Sequence, residues 1–364
     1  MTKRKYITFL NVFSALAVVL LHANSCFWGF SYEKYWISAN VIESVFYFAV
    51  PVFFMISGAT LLDYNKRYST ITFFKKRIAK TLIPFVAWSI IGLFYMIYTG
   101  RVLIADIGER WLINSFFNTN IISIYWYFIP QFAVYMLIPF IAAIPAEKRK
   151  APFSYIIVLT LLFNVTFPLL FAVVGLNYNG AIYIPLSGYS MYVLIGYYID
   201  QYEIGHKFRY CIYAAGMIGL LVHILGTWKW SYEAGEIVSL YKGYLNLPCV
   251  LYSVSIYTFF RYQNEKQWLH RLNRGIKRIS GTTLGIYLIH WYLLDFISRN
   301  ITAINPQSLV YRLAGGGTML CDSSFADKST AESTSYSAYS SAIESGGKLN
   351  SCRIFMIELV KKSL

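Results

Sequence analysis

The stretch ITFLNVFSALAVVLLHANSCFW, residues 7–28, decides the fold. It contains neither Gly nor Pro, and its centre, Ala15-Leu16-Ala17-Val18-Val19-Leu20-Leu21, is uninterrupted until His22. At 1.5 Å per residue, a helix of about 20 apolar residues crosses a hydrocarbon layer of about 30 Å. Lys3-Arg4-Lys5 precedes it. The run is too long for a signal-peptide core, and no small-residue cleavage site follows, so it reads as a retained span.

Blocks of the same kind recur outward from there. We read nine spans, roughly 7–28, 37–62, 81–99, 124–145, 153–174, 183–199, 208–226, 237–260 and 279–298. The chain is 57% hydrophobic, 19% aromatic and 13% charged, with mean hydropathy +0.48. A soluble domain is about a quarter charged. That contrast excludes a disordered chain, a disulfide scaffold and most cytosolic enzymes. In lipid every backbone polar group needs an internal partner, which leaves helices or a closed barrel. The blocks are continuous rather than alternating, so the expected fold is all-α, a polytopic transmembrane helix bundle.

The net charge of +15 would suggest nucleic acid in a soluble protein. Here it follows the loops. With the N-terminus in the cytoplasm, the inner segments hold 20 Lys and Arg, against 4 in the outer loops. That asymmetry orients a multi-pass protein of the plasma membrane and needs no nucleic-acid partner. The longest outer loop, 100–123, has a roughly helical apolar pattern and is expected to lie on the membrane surface. The five cysteines show no CxxC spacing and are read as packing residues, with no metal site. Walker A, HExxH, GxSxG and dinucleotide fingerprints are all missing from the sequence.

From Ala314 the chain turns abruptly to Gly, Ser, Thr and Ala. We therefore expect a membrane domain over 1–313 and a polar, disordered tail over 314–364.

Ionisable groups at membrane depth are costly, so each is a functional candidate. They are His22, Glu43, His223, His290 and Asp295. Asn11 lies about three helical turns before His22, on the same face and about 16 Å away. Tyr287 precedes His290 by one turn and shares its face. Gly281 and Gly285, four apart, suit close helix packing. Phe73-Phe74-Lys75-Lys76-Arg77-Ile78 forms a basic inner loop running into Ile83-Pro84. Arg binds phosphate oxygens bidentately and Lys adds point charge. Trp126, in Tyr125-Trp126-Tyr127, reads first as an interfacial anchor.

Five segments together resemble the acyltransferase-3 family of integral membrane acyltransferases. They are the first span closing on His22, Pro51-Val52-Phe53-Phe54-Met55-Ile56-Ser57-Gly58, the basic loop around Arg77, Tyr125-Trp126-Tyr127-Phe128-Ile129-Pro130, and Gly285-Ile286-Tyr287-Leu288-Ile289-His290. The resemblance covers about residues 5–312. It implies ten helices and transfer of an acyl group, often acetyl from acetyl-CoA, to a hydroxyl of a cell-surface or exported glycan in a bacterial plasma membrane. It makes His22 the essential His, supported by Tyr287 and His290. Arg77, Lys76, Lys75 and Asn11 fall on the donor side, and Glu43, Trp126 and Ser57 on the acceptor side. Acetyl-CoA enters as a substrate, and no permanently bound cofactor is implied.

Two departures stand out. Family members commonly carry Arg eleven residues before the His, where this chain has Asn11. The tenth span is missing where the Ser-rich stretch begins, as a frameshift or truncation would produce. The rival reading is a transporter or flippase without acyl-transfer chemistry, which predicts broken, repeated spans. No convincing internal repeat is visible.

Overall fold

The computed structural model describes residues 4–300 and 305–313. Among them the regular elements are all helical. The first helix, α1 (Lys5–Ala23), lacks any helix breaker and sits inside the bundle, with 61% of its apolar window buried. After a short 3-10 turn come α2 (Lys34–Phe46) and α3 (Ala49–Leu61), one rod bent at Tyr47–Phe48.

The third rod begins earlier than the sequence suggests. Helix α4 (Thr70–Arg77) is capped by Ser69, whose hydroxyl accepts from the Thr72 N–H. It continues through a π-helical turn, Ile78–Leu82, into α5 (Ile83–Tyr98). Lys75, Lys76 and Arg77 therefore end a helix rather than occupying a loop. Pro84 follows directly on the π-helical turn, inside this continuous rod, where it has no N–H to donate to the preceding turn.

The loop 100–123 contains a helix, α6 (Glu109–Phe117). Then follow α7 (Phe128–Ala142) and a rod made of α8 (Lys150–Thr160), a π-helical stretch and α9 (Phe167–Val173). That rod is the most exposed of the long ones, with 11% of its window buried. The remainder is α10 (Tyr189–Gln201), α11 (His206–Ala234), α12 (Leu247–Tyr262), α13 (Gln267–Ile279) and α14 (Thr283–Asn300).

Each of the nine expected spans has a helical rod. Six are long and apolar enough to cross a membrane, namely Lys5–Ala23, Lys34–Lys66, Thr70–Tyr98, Ser123–Ala142, Lys150–Val173 and His206–Ala234. The rods of α10, α12 and α14 are shorter or more polar. The expected span 237–260 starts only at Leu247, because residues 235–246 form a turn-rich loop after Gly235, whose φ of 71° ends α11. The tail 314–364, with Cys321 and Cys352, lies outside the described residues.

The tightest crossing joins α3 to α10. A Cβ on Gly58 would sit 1.9 Å from the Val193 carbonyl oxygen, and one on Gly196 would sit 2.1 Å from that of Met55. Both positions need glycine so that the backbones can meet. Gly281 and Gly285 do not serve this purpose: a Cβ on either meets nothing among the described residues. Around the crossing, side chains of α1, α3, α7, α10 and α12 form the main core, including Leu10, Val52, Phe54, Val134, Tyr192 and Tyr257. A second core joins α5, α7 and α14 through Phe85, Trp88, Phe128, Leu288 and Tyr292.

Candidate functional site

Helix α1 packs against α2, α3, α12, α13 and α14. Its polar line therefore faces protein, as the spacing of Asn11 and His22 requires. Near the end of α1, the His22 and His290 rings stand 5.0 Å apart, centroid to centroid. His290 is 1% exposed and its Nδ1 lies 3.2 Å from the Ile286 carbonyl. A carbonyl only accepts, so Nδ1 carries the hydrogen and Nε2 of the neutral ring holds a lone pair. That Nε2 has no partner among the described residues. The Tyr287 ring lies 5.7 Å from His290, and its hydroxyl donates to the Ile124 carbonyl.

His22 opens onto a cavity of about 550 Å³, whereas His290 stands behind it. The wall is largely aromatic. Tyr47 stacks on Tyr244 at 4.2 Å, and Tyr244 stacks on Trp126 at 5.4 Å. Trp28, Trp291 and Tyr311 also reach the cavity. Two carboxylates line it, and both are held. Glu43, 2% exposed, accepts from Asn24 Nδ2 at 3.1 Å. Asp295 accepts from the Tyr95 hydroxyl at 2.7 Å, pairs with Arg299 at 3.1 Å and pairs with Arg101.

Two cations underpin this end, and sequence reasoning singled out neither. Lys242, from the loop before α12, donates to Ser44 Oγ at 2.9 Å. Burial lowers its ammonium from the ordinary value, and the Glu43 carboxylate opposes that shift. Arg312, 1% exposed, donates to Ser38 Oγ at 2.8 Å and to Asn24 Oδ1 at 3.4 Å. It thereby ties the last described turn to α1 and α2. His223 is buried against Tyr47 at 5.2 Å and lines neither cavity.

A second cavity, about 210 Å³, lies toward the start of α1. Asn11, Ser57, Thr81, Gln131 and Thr283 supply its polar lining. Asn11 donates to Thr283 Oγ1 at 2.9 Å. Ser57, expected beside Glu43 and Trp126, belongs here instead. Tyr127 and Tyr287 line both cavities, which meet at these two rings. The Arg77 guanidinium lies 5.5 Å from the ring of Tyr135, which also lines the smaller cavity. Lys76 stands over Tyr68 at 3.9 Å, and Lys75 is exposed.

This combination defines a class: a polytopic membrane bundle with a histidine pair and two adjoining cavities in its interior. The family follows from comparison. The chain matches the acyltransferase-3 family model, described as an acyltransferase domain, over residues 4–321, and it belongs to that family. It is a membrane acyltransferase. No curated relative and no solved structure matches the chain.

Proposed function

We propose that this acyltransferase moves an acyl group, in the first instance acetyl, from acyl-CoA on the cytoplasmic side to a sugar hydroxyl of a cell-surface or exported glycan entering from outside. The observation that carries the reading is the His22–His290 pair at the wall of the larger cavity. A hydroxyl is a weak nucleophile at neutral pH. A neutral imidazole within reach accepts its proton as the bond to the acyl carbon forms, and the imidazolium returns that proton to the CoA thiolate as the C–S bond breaks, an effect worth about 10²–10⁴-fold.

His22 is the general base, because it faces the cavity. His290 backs it, its free Nε2 lone pair one ring away. The stacked Tyr47, Tyr244 and Trp126 rings suit the apolar faces of a sugar, and Glu43 suits its hydroxyls. On the other side, Arg77 with Lys76 and Lys75 meets the phosphates of the donor. Asn11 adds no charge there and holds Thr283 instead. In this reading the start of α1 is cytoplasmic, and the protein is a bacterial plasma-membrane enzyme embedded among lipids.

Purified protein given radiolabelled acetyl-CoA and a glycan acceptor tests this. Incorporation of label into glycan is expected, and it is lost in His22→Ala. Uptake into vesicles without covalent label would instead favour the transporter reading.

A further inference from the structure

We propose that the smaller cavity is the seat of an uncharged, amide-bearing pantetheine arm, and that Gln131 on α7 hydrogen-bonds one of its amides. The inference deepens the acyl-CoA reading and rests on it for the identity of the donor. Its physical basis is independent of that reading.

Gln131 is 2% exposed and lines this cavity. The Tyr127 hydroxyl donates to its Oε1 at 2.6 Å, and its Nε2 has no partner among the described residues. A buried amide left without a hydrogen-bond partner is costly, so such a group points to a ligand that completes it. Tyr127 occupies one end of the side-chain amide, and the other end is left for something in the cavity. A ligand amide offers both a carbonyl and an N–H, so it answers whichever end is free.

The rest of the lining agrees. The cavity's polar residues, Asn11, Ser57, Thr81 and Thr283, are all uncharged. A phosphate or carboxylate would be stranded there, since a buried charge needs a partner. A hydrocarbon tail would leave the Gln131 amide unpaired. The charged neighbour lies just outside. Arg77, stacked on Tyr135, forms no ion pair among the described residues, and its Nε is buried without a partner. Along the start-to-end direction of α1, the molecule thus presents a cation, a neutral polar chamber, the two tyrosine rings and then His22. A donor with an anionic head, a neutral amide stem and a reactive terminal thioester matches that order group by group.

Ser57 lines the chamber and gives the test a reporter. Ser57→Cys is alkylated with a small maleimide, and modification at position 57 is followed by mass spectrometry. The probe is an N-alkyl pantothenamide, which has the amide stem and no thioester. It is expected to slow alkylation at least tenfold at saturation, whereas adenosine 3′,5′-diphosphate gives no protection. Adding Gln131→Leu, or the unbranched and uncharged Gln131→Met, should raise the half-protecting concentration about tenfold, the worth of one buried neutral hydrogen bond. The Met variant carries the test if the Leu variant does not fold.

Absence of protection by pantothenamide overturns the seat. Equal protection by the adenosine diphosphate also overturns it. Unchanged protection in both Gln131 variants overturns the role of Gln131. Protection without any transfer from acetyl-CoA upholds the seat and refutes the acyl-CoA reading.

Discussion

At the scale of single residues, the structure separates His22 from His290 by position. Only His22 reaches the larger cavity; His290 is fixed through Nδ1 to its own helix. His22→Ala is therefore expected to lower acyl transfer by about 10²–10⁴-fold while the protein still reaches the membrane in normal amount. Single-turnover transfer and membrane fractionation measure the two. Tyr287 differs, because its hydroxyl hydrogen already goes to the Ile124 carbonyl. Tyr287→Phe should keep the ring where the cavities meet and cost about tenfold or less in kcat, roughly one hydrogen bond. A loss as deep as that of His22→Ala would make the hydroxyl a direct participant. Both histidines were legible in the sequence because an imidazole amid apolar residues stands out. Gln131 was not, since a neutral amide after an aromatic run resembles any interfacial residue. Lys242 and Arg312 were missed too: Lys242 falls inside the expected span 237–260 and Arg312 follows Leu309-Val310-Tyr311, and the fold shows that each is turned inward.

At the scale of elements, the α3–α10 crossing holds the frame on which α1 rests. A methyl group on Gly58 or Gly196 would run into backbone, which no rotamer change relieves. Gly58→Ala or Gly196→Ala is expected to cost about 1–3 kcal/mol or more from overpacking. Gly285→Ala, whose Cβ meets nothing among the described residues, should not destabilise. Thermal unfolding in detergent compares the three. The spacing of Gly281 and Gly285 was visible in the sequence, but spacing says only that two glycines share a face. Whether another helix arrives at that face is a tertiary fact, and here the helices that meet each bring a single glycine. The π-helical turn at Ile78–Leu82 was equally hidden. Its sequence, IAKTL, carries no signal that distinguishes it from α-helix. The helices themselves were legible, because lipid permits so few alternatives.

At the scale of the whole molecule, the charge asymmetry predicts a direction that cysteine labelling can read. In a background with the native cysteines replaced by Ser, Glu109→Cys on α6 should react with a membrane-impermeant maleimide applied outside intact cells. Lys148→Cys should react only after lysis. Both positions are exposed, so reversed labelling would invert the orientation and exchange the donor and acceptor sides. Bonds that close the bundle span nearly the full described chain. Asn11 reaches Thr283 across 272 residues, and Arg312 reaches Asn24 across 288. A ribosome adding about 5–20 residues per second needs on the order of tens of seconds to supply those partners. Throughout that interval the nascent first helix presents His22 and Asn11 with no mate from this polypeptide, so insertion machinery or a chaperone must shelter that polar stripe until the last helix emerges.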